Sequence, residues 1–160
     1  MKPLKRPRPI VYCVAIVLGL LAVTVAQASG PWLTRSAGAD GCILFAEVPE
    51  VDDGYSLTPV RVEIIGSRLT VLTESNIDTT LGPLGLSVDG GTFMQADRVE
   101  SGTNLVFEDQ VQEMVQAFIR GSNARLTLRF WPTWPQTGDK QVDFSLKGFT
   151  QAYNSALTCG

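Results

Sequence analysis

Hydrophobic and polar residues alternate in several stretches after residue 40, and a period of two predicts half-buried strands. In 59–65, Val60, Val62 and Ile64 share one face while Arg61 and Glu63 take the other. Gly66-Ser67 predicts a turn into a second strand over 68–73, making a hairpin. Residues 42–48 read as the first strand and 49–55 as an acidic turn. Leu84, Leu86 and Val88 alternate up to Asp89-Gly90-Gly91, a tight-turn signal because glycine accepts positive φ, with a returning strand over 92–96. Residues 98–102 read as polar connection and 103–107 as a short strand. The period then changes. Val111, Met114, Val115, Phe118 and Ile119 form one apolar stripe, predicting a helix over 109–120 with Asp109 as cap and Gly121 as terminator. In 124–130, Ala124, Leu126, Leu128 and Phe130 point inward against Arg125, Thr127 and Arg129. Trp131-Pro132-Thr133-Trp134-Pro135 breaks that strand, and Val142, Phe144 and Leu146 begin the next inward set. Phe149, Ala152, Tyr153, Ala156 and Leu157 show helical spacing, so a short helix closes the chain. These elements predict a mainly β domain: an antiparallel β-sandwich or curled sheet with one packed helix and a short C-terminal helix.

The beginning of the chain follows a different pattern. Lys2, Lys5, Arg6 and Arg8 precede an apolar run over 10–26, and Ala26-Gln27-Ala28 follows as a small-x-small cleavage signature. That order predicts a secretory signal over 1–28, cleaved after Ala28, then a loose lead-in over 29–41 and a single domain over 42–160. An uncleaved membrane anchor is the alternative, since the run matches the shortest spanning helices. Export places the domain in the periplasm or outside the cell. Cys13 leaves with the leader, and the two cysteines that remain, Cys42 and Cys159, are expected to form a disulfide in that oxidising compartment.

Charge and composition narrow the function. Four of the 13 basic residues sit in the leader, so nine face 16 acids in the exported part, a net charge of −7. An acidic domain with no basic stripe is a poor nucleic-acid binder, because neutralising phosphates takes clustered Lys and Arg. The chain has no histidine. That excludes Ser-His-Asp and Cys-His nucleophiles and His-ligated metals. No cofactor is implied, and no membrane contact beyond the leader.

Within the last third, 142–157 reads VDFSLKGFTQAYNSAL. A strand ending in Ser-Leu-x-Gly-Phe and running into a short Ala/Tyr helix resembles the end of the invasion-associated locus B family of small exported bacterial proteins. The Asn-Ala-Arg-Leu-Thr-Leu strand, the Asp-Gly turn and the Gly41-Cys42 pair sit in the matching order. The resemblance implies a signal peptide, a β-sandwich-like fold and no established enzymatic activity. It carries over no catalytic residue, and the 131–135 segment looks like an insertion relative to the family.

Three constellations are candidates for chemistry. Glu47, Glu50, Asp52 and Asp53 crowd one turn, as in calcium loops, but the spaced ligand set with its terminal bidentate Glu is missing, so a solvated turn is expected. Asp143, Ser145 and Lys147 share one face; a Ser/Lys pair is a known nucleophile arrangement, while alternating polar residues on a wet sheet face are the ordinary explanation. Trp131 and Trp134, each followed by proline, suit an aromatic platform for a partner, or equally fold back to cap the core. Two functions follow: a non-enzymatic exported domain that binds a protein or an envelope component, or an envelope hydrolase using carboxylates or Ser145 with Lys147.

Overall fold

The computed structural model describes residues 30–38, 41–131 and 138–159. The expected signal segment, with its cleavage triplet and Cys13, lies outside the described residues. In chain order the first strands are β1 (Trp32–Ser36), β2 (Cys42–Asp52), β3 (Leu57–Ile65) and β4 (Arg68–Thr73). Next come β5 (Gly85–Val88), β6 (Met94–Gln95), β7 (Arg98–Glu100) and β8 (Asn104–Phe107). Helix α1 (Val111–Arg120), β9 (Asn123–Leu128), β10 (Lys140–Ser145) and α2 (Phe149–Leu157) complete the domain. One sheet has the order β1-β2-β3-β4-β8-β7 and the other β10-β9-β5-β6, with antiparallel neighbours throughout. The expected mainly β architecture with two helices is what the chain adopts.

Alternation decides which faces meet. Leu44, Ala46 and Val48 of β2, Val60, Val62 and Ile64 of β3, and Leu69 and Val71 of β4 are buried together with Leu86, Leu126 and Leu128 of the smaller sheet. The apolar stripe of α1 joins them through Val111, Met114, Val115 and Phe118. Five aromatic rings gather between the helices and the sheets. The Trp32 ring centroid lies 4.8 Å from Phe149 and 5.9 Å from Phe118, which meets Phe149 edge-on at 5.1 Å, while Phe144 and Tyr153 flank the group. Edge-to-face contacts of this kind add to what burial alone contributes.

Several elements depart from the pattern reading, each for a local reason. The segment expected as a loose lead-in carries β1. Of its five residues only Trp32 is buried, so no alternation shows. Trp32 fixes the strand by burying its ring and donating Nε1–H to the Ser145 carbonyl at 3.0 Å. Just before it, a side chain on Gly30 would collide with the Lys147 carbonyl, so the backbones cross closely there. The acidic turn is shorter than expected. β2 runs on to Asp52, and its register with β3 slips between Val48 and Val51, so Pro49 and Glu50 oppose Pro59 alone. A bulge is one of the few places where a sheet accepts proline, which has no N–H for the ladder. The returning strand over 92–96 contracts to Met94–Gln95, and the polar connection after it pairs as the edge strand β7.

The helix begins at Val111, with Gln110 at the cap position and no side-chain cap, so Asp109 does not serve as one. The Asp97 carboxylate instead accepts the N–H groups of Glu108 and Asp109. Gly121 does end the helix, but in extended backbone at φ −91° rather than in the left-handed region. The Asp89-Gly90 turn behaves as expected, with φ of 48° and 72° and the Gly91 N–H donating to the Val88 carbonyl at 2.8 Å. Its Asp89 carboxylate also receives the N–H groups of Ser122 and Asn123, tying this turn to the exit of α1.

The domain ends are clasped. Cys42 opens β2, Cys159 follows α2, and the two are disulfide-bonded with Cα atoms 5.9 Å apart. That separation is within the usual range for a disulfide.

Candidate binding surface

Beyond β9 the chain keeps bridging to the segment before β5. The Asp78 N–H donates to the Arg129 carbonyl at 2.8 Å, Ile77 and Phe130 form an antiparallel bridge, and the Trp131 N–H donates to the Asn76 carbonyl at 2.8 Å. Successive side chains on extended backbone point to opposite sides. Phe130 is accordingly buried and Trp131 is 49% exposed. A hydrogen-bonded backbone therefore holds Trp131 out from the core. Trp134, the second expected platform residue, lies outside the described residues.

Arg129, expected to face outward, is 4% exposed. Its guanidinium pairs with Asp139 and points toward the Asp78 and Gly82 carbonyls at 3.5 and 3.4 Å. The exception to alternation has a cause: the 78–84 segment lies against this end of the strand and supplies both carbonyls. A buried charge without such partners is costly. Arg129 and Asp139 stand on either side of the 131–138 segment, so their ion pair ties its two ends together.

The other candidates are occupied by structural contacts. Glu47 pairs with Arg61 at 2.6 Å, Asp52 accepts the Gly54 N–H, and Asp53 accepts the N–H groups of Tyr55 and Ser56 and the Ser75 hydroxyl. Those bonds, that of Ser75 first, hold the Asp53 carboxyl below its ordinary range. Among the described residues no group of three or more His, Cys, Asp or Glu is placed to hold a metal ion. Ser145 accepts the backbone N–H of Lys147 at 3.1 Å on its hydroxyl. Lys147 itself lies beyond the end of β10, in the turn before α2, rather than on the strand face with Asp143. Asp143 forms a two-bonded pair with Arg125 at 2.7 and 2.9 Å, and that hydrogen bonding lowers the Asp143 carboxyl and raises Arg125. An open depression of about 520 Å³ lies over this pair, lined also by Ser87, Asp89 and Asn123. A general acid near neutral pH needs a carboxyl pushed up. Asp53 and Asp143 are held down, and so is Glu108 by Arg98.

The outer face of the larger sheet is neutralised in the same way. Arg35 meets Glu63, Arg98 meets Glu108, Arg68 meets Glu100, and the Phe45 ring has Arg35 and Arg61 each 5.5 Å from its centroid. This face presents paired charges and no field of one sign.

No family model matches the chain, and no curated protein matches it. Among solved structures, the crystal structure of invasion associated protein B from Bartonella henselae superposes with a TM-score of 0.53. The alignment covers 81% of this chain and 93% of that one at 18% identity. The two proteins share a fold. At that identity the likeness concerns architecture alone. Among the described residues no helix is long and apolar enough to cross a membrane.

Proposed function

We propose that the chain is an exported, non-enzymatic domain, related to the invasion-associated locus B-like proteins, that binds another protein or an envelope component in the periplasm or outside the cell. The fold likeness and the cysteine clasp support the setting. The signal-like first 28 residues supply the route, and the net charge of the exported part argues against a nucleic-acid partner. The binding role rests on one observation. Trp131 is half-exposed on a backbone anchored to Asn76, two residues from Arg129, which pairs with Asp139. Tryptophan is enriched among residues that dominate interfaces, and a held side chain loses less entropy on binding.

The double variant Trp131→Ala, Trp134→Ala tests this. It is expected to melt within a degree or two of the wild type and to lose whatever the wild-type domain retains from envelope extract. A large fall in melting temperature would make the rings packing residues, and undiminished retention would place binding elsewhere.

A further inference from the structure

Trp131 does not stand alone at its end of the molecule. The carbonyl that holds it belongs to Asn76, and the preceding residue, Ser75, donates its hydroxyl to Asp53 at 2.5 Å. Asp53 closes the turn between β2 and β3 by accepting the N–H groups of Tyr55 and Ser56 at 2.8 Å each. The Glu74 N–H is bonded to the Thr58 hydroxyl in the same hairpin. One short segment, 74–78, thus joins the β2–β3 hairpin tip on one side to the Trp131 backbone on the other. Of the exposed large apolar side chains, those of Tyr55, Leu57, Leu81 and Trp131 belong to the elements that this segment joins or continues into, whereas Leu33, Phe93 and Leu157 lie on other elements. Tyr55 is 76% exposed, Leu57 62%, and Leu81, in the loop that covers Arg129, 63%. Isolated exposed apolar residues are ordinary, but several on adjoining ordered loops mark an interaction surface.

Charge specifies what fits there. Glu50, Asp52, Asp53 and Glu74 surround the tip, and among the described residues none of the four is in an ion pair. The carboxylates of the neighbouring sheet face, by contrast, are matched by arginines. Arg129, the cation beside Trp131, is buried and already paired with Asp139. A second copy of this chain would bring like charges together, and a lipid surface with anionic headgroups would be repelled. A cationic partner with apolar side chains satisfies both features.

We propose that this end of the molecule, from the Tyr55 hairpin tip to Trp131, docks a cationic amphipathic segment of another polypeptide. The proposal rests on the reading that Trp131 belongs to a binding surface, and it adds the hairpin tip and the chemistry of the partner. Tyr55, Leu57 and Trp131 anchor the apolar face, and the carboxylates of Glu50, Asp52 and Glu74 meet the basic one, Asp53 being taken up in the turn. Attraction of this kind weakens with salt, whereas the apolar anchors set how firmly the segment stays.

The probe is a fluorescently labelled synthetic helix of lysine, leucine and tryptophan, titrated with the exported chain and followed by anisotropy. Tyr55→Ser with Leu57→Ser leaves every charge in place, and both side chains are exposed, so the melting temperature should hold while affinity falls by about tenfold or more. Glu50→Gln, Asp52→Asn and Glu74→Gln together should weaken binding comparably and flatten its dependence on salt. Asp53 is left intact because it closes the turn. Absence of wild-type binding, or equal binding by the serine variant, would overturn the proposal, the second result reducing it to non-specific charge attraction. Trp131→Ala separates the two readings. Loss of binding in that variant with both tip variants unaffected leaves Trp131 as a binding residue and removes the tip. Loss in the tip variants alone keeps the tip and removes Trp131.

Discussion

Replacing Cys42 and Cys159 together by serine is expected to lower stability by about 4–5 kcal/mol in the chain-entropy view of cross-links. The bond spans 117 residues of sequence, nearly the whole described domain, so its loss frees almost the entire chain in the unfolded state. Its position adds to the effect. Cys42 begins β2, against which both β1 and β3 pair, and Cys159 anchors α2, which lies against β1 and β2. Without the bond, α2 is held by Phe149 and Ala152 alone among its buried residues. Urea unfolding of the oxidised protein and the double variant, compared at one pH, measures the difference. A midpoint that barely moves would mean that the domain ends are kept together by packing and that the bond contributes little.

Phe118→Ala is expected to cost about 3–5 kcal/mol, the usual range for a buried phenylalanine truncated to alanine. Phe118 is fully buried on the inner stripe of α1 and meets Trp32, Phe144 and Phe149. Those three come from β1, β10 and α2, so one ring ties the middle helix to elements from both ends of the domain. The void left behind has rigid neighbours. Trp32 is fixed by its bond to the Ser145 carbonyl, and Phe149 is itself fully buried. Partial collapse is the only relief, and cavity cost grows as collapse becomes harder. Thermal unfolding by circular dichroism gives the answer. A melting temperature within a degree or two of the wild type would show that the stripe contributes little packing.

What the sequence made legible follows from how regularly each element meets the core. β3, β4 and β9 carry strict alternation because each has one buried and one wet face, and they lie close to where the pattern puts them. The inner stripe of α1 was legible for the same reason, with a period of 3.6 instead of two. β1 was not, because its stability comes from a single tryptophan and a backbone crossing at Gly30, neither of which leaves a period. β7 is a three-residue edge strand with no buried position, so only its partner β8 reveals it. Arg129 broke the alternation rule because a loop 47 residues away in sequence supplies a carbonyl that covers it, and long-range covering of that kind has no local signature. The candidate surface was legible in part. Trp131 stands out by composition, whereas the Tyr55 hairpin joins it only through Ser75 and Asn76, a link made by folding. A tyrosine beside three nearby acids reads in sequence as an ordinary solvated turn, and the two bonds that tie this hairpin to the 74–78 segment have no local signature.

The most direct test of the binding account is hydrogen exchange of the exported domain alone and in complex with the partner that it retains from envelope extract. Exchange reports local opening, and a docked partner slows it where it covers the backbone. The account predicts slowed exchange in peptides covering 52–57, 74–82 and 130–139, with the Arg125–Asp143 face of the smaller sheet unchanged. Protection confined to that sheet face, with the Tyr55 hairpin and the Trp131 segment exchanging as in the free protein, would contradict it.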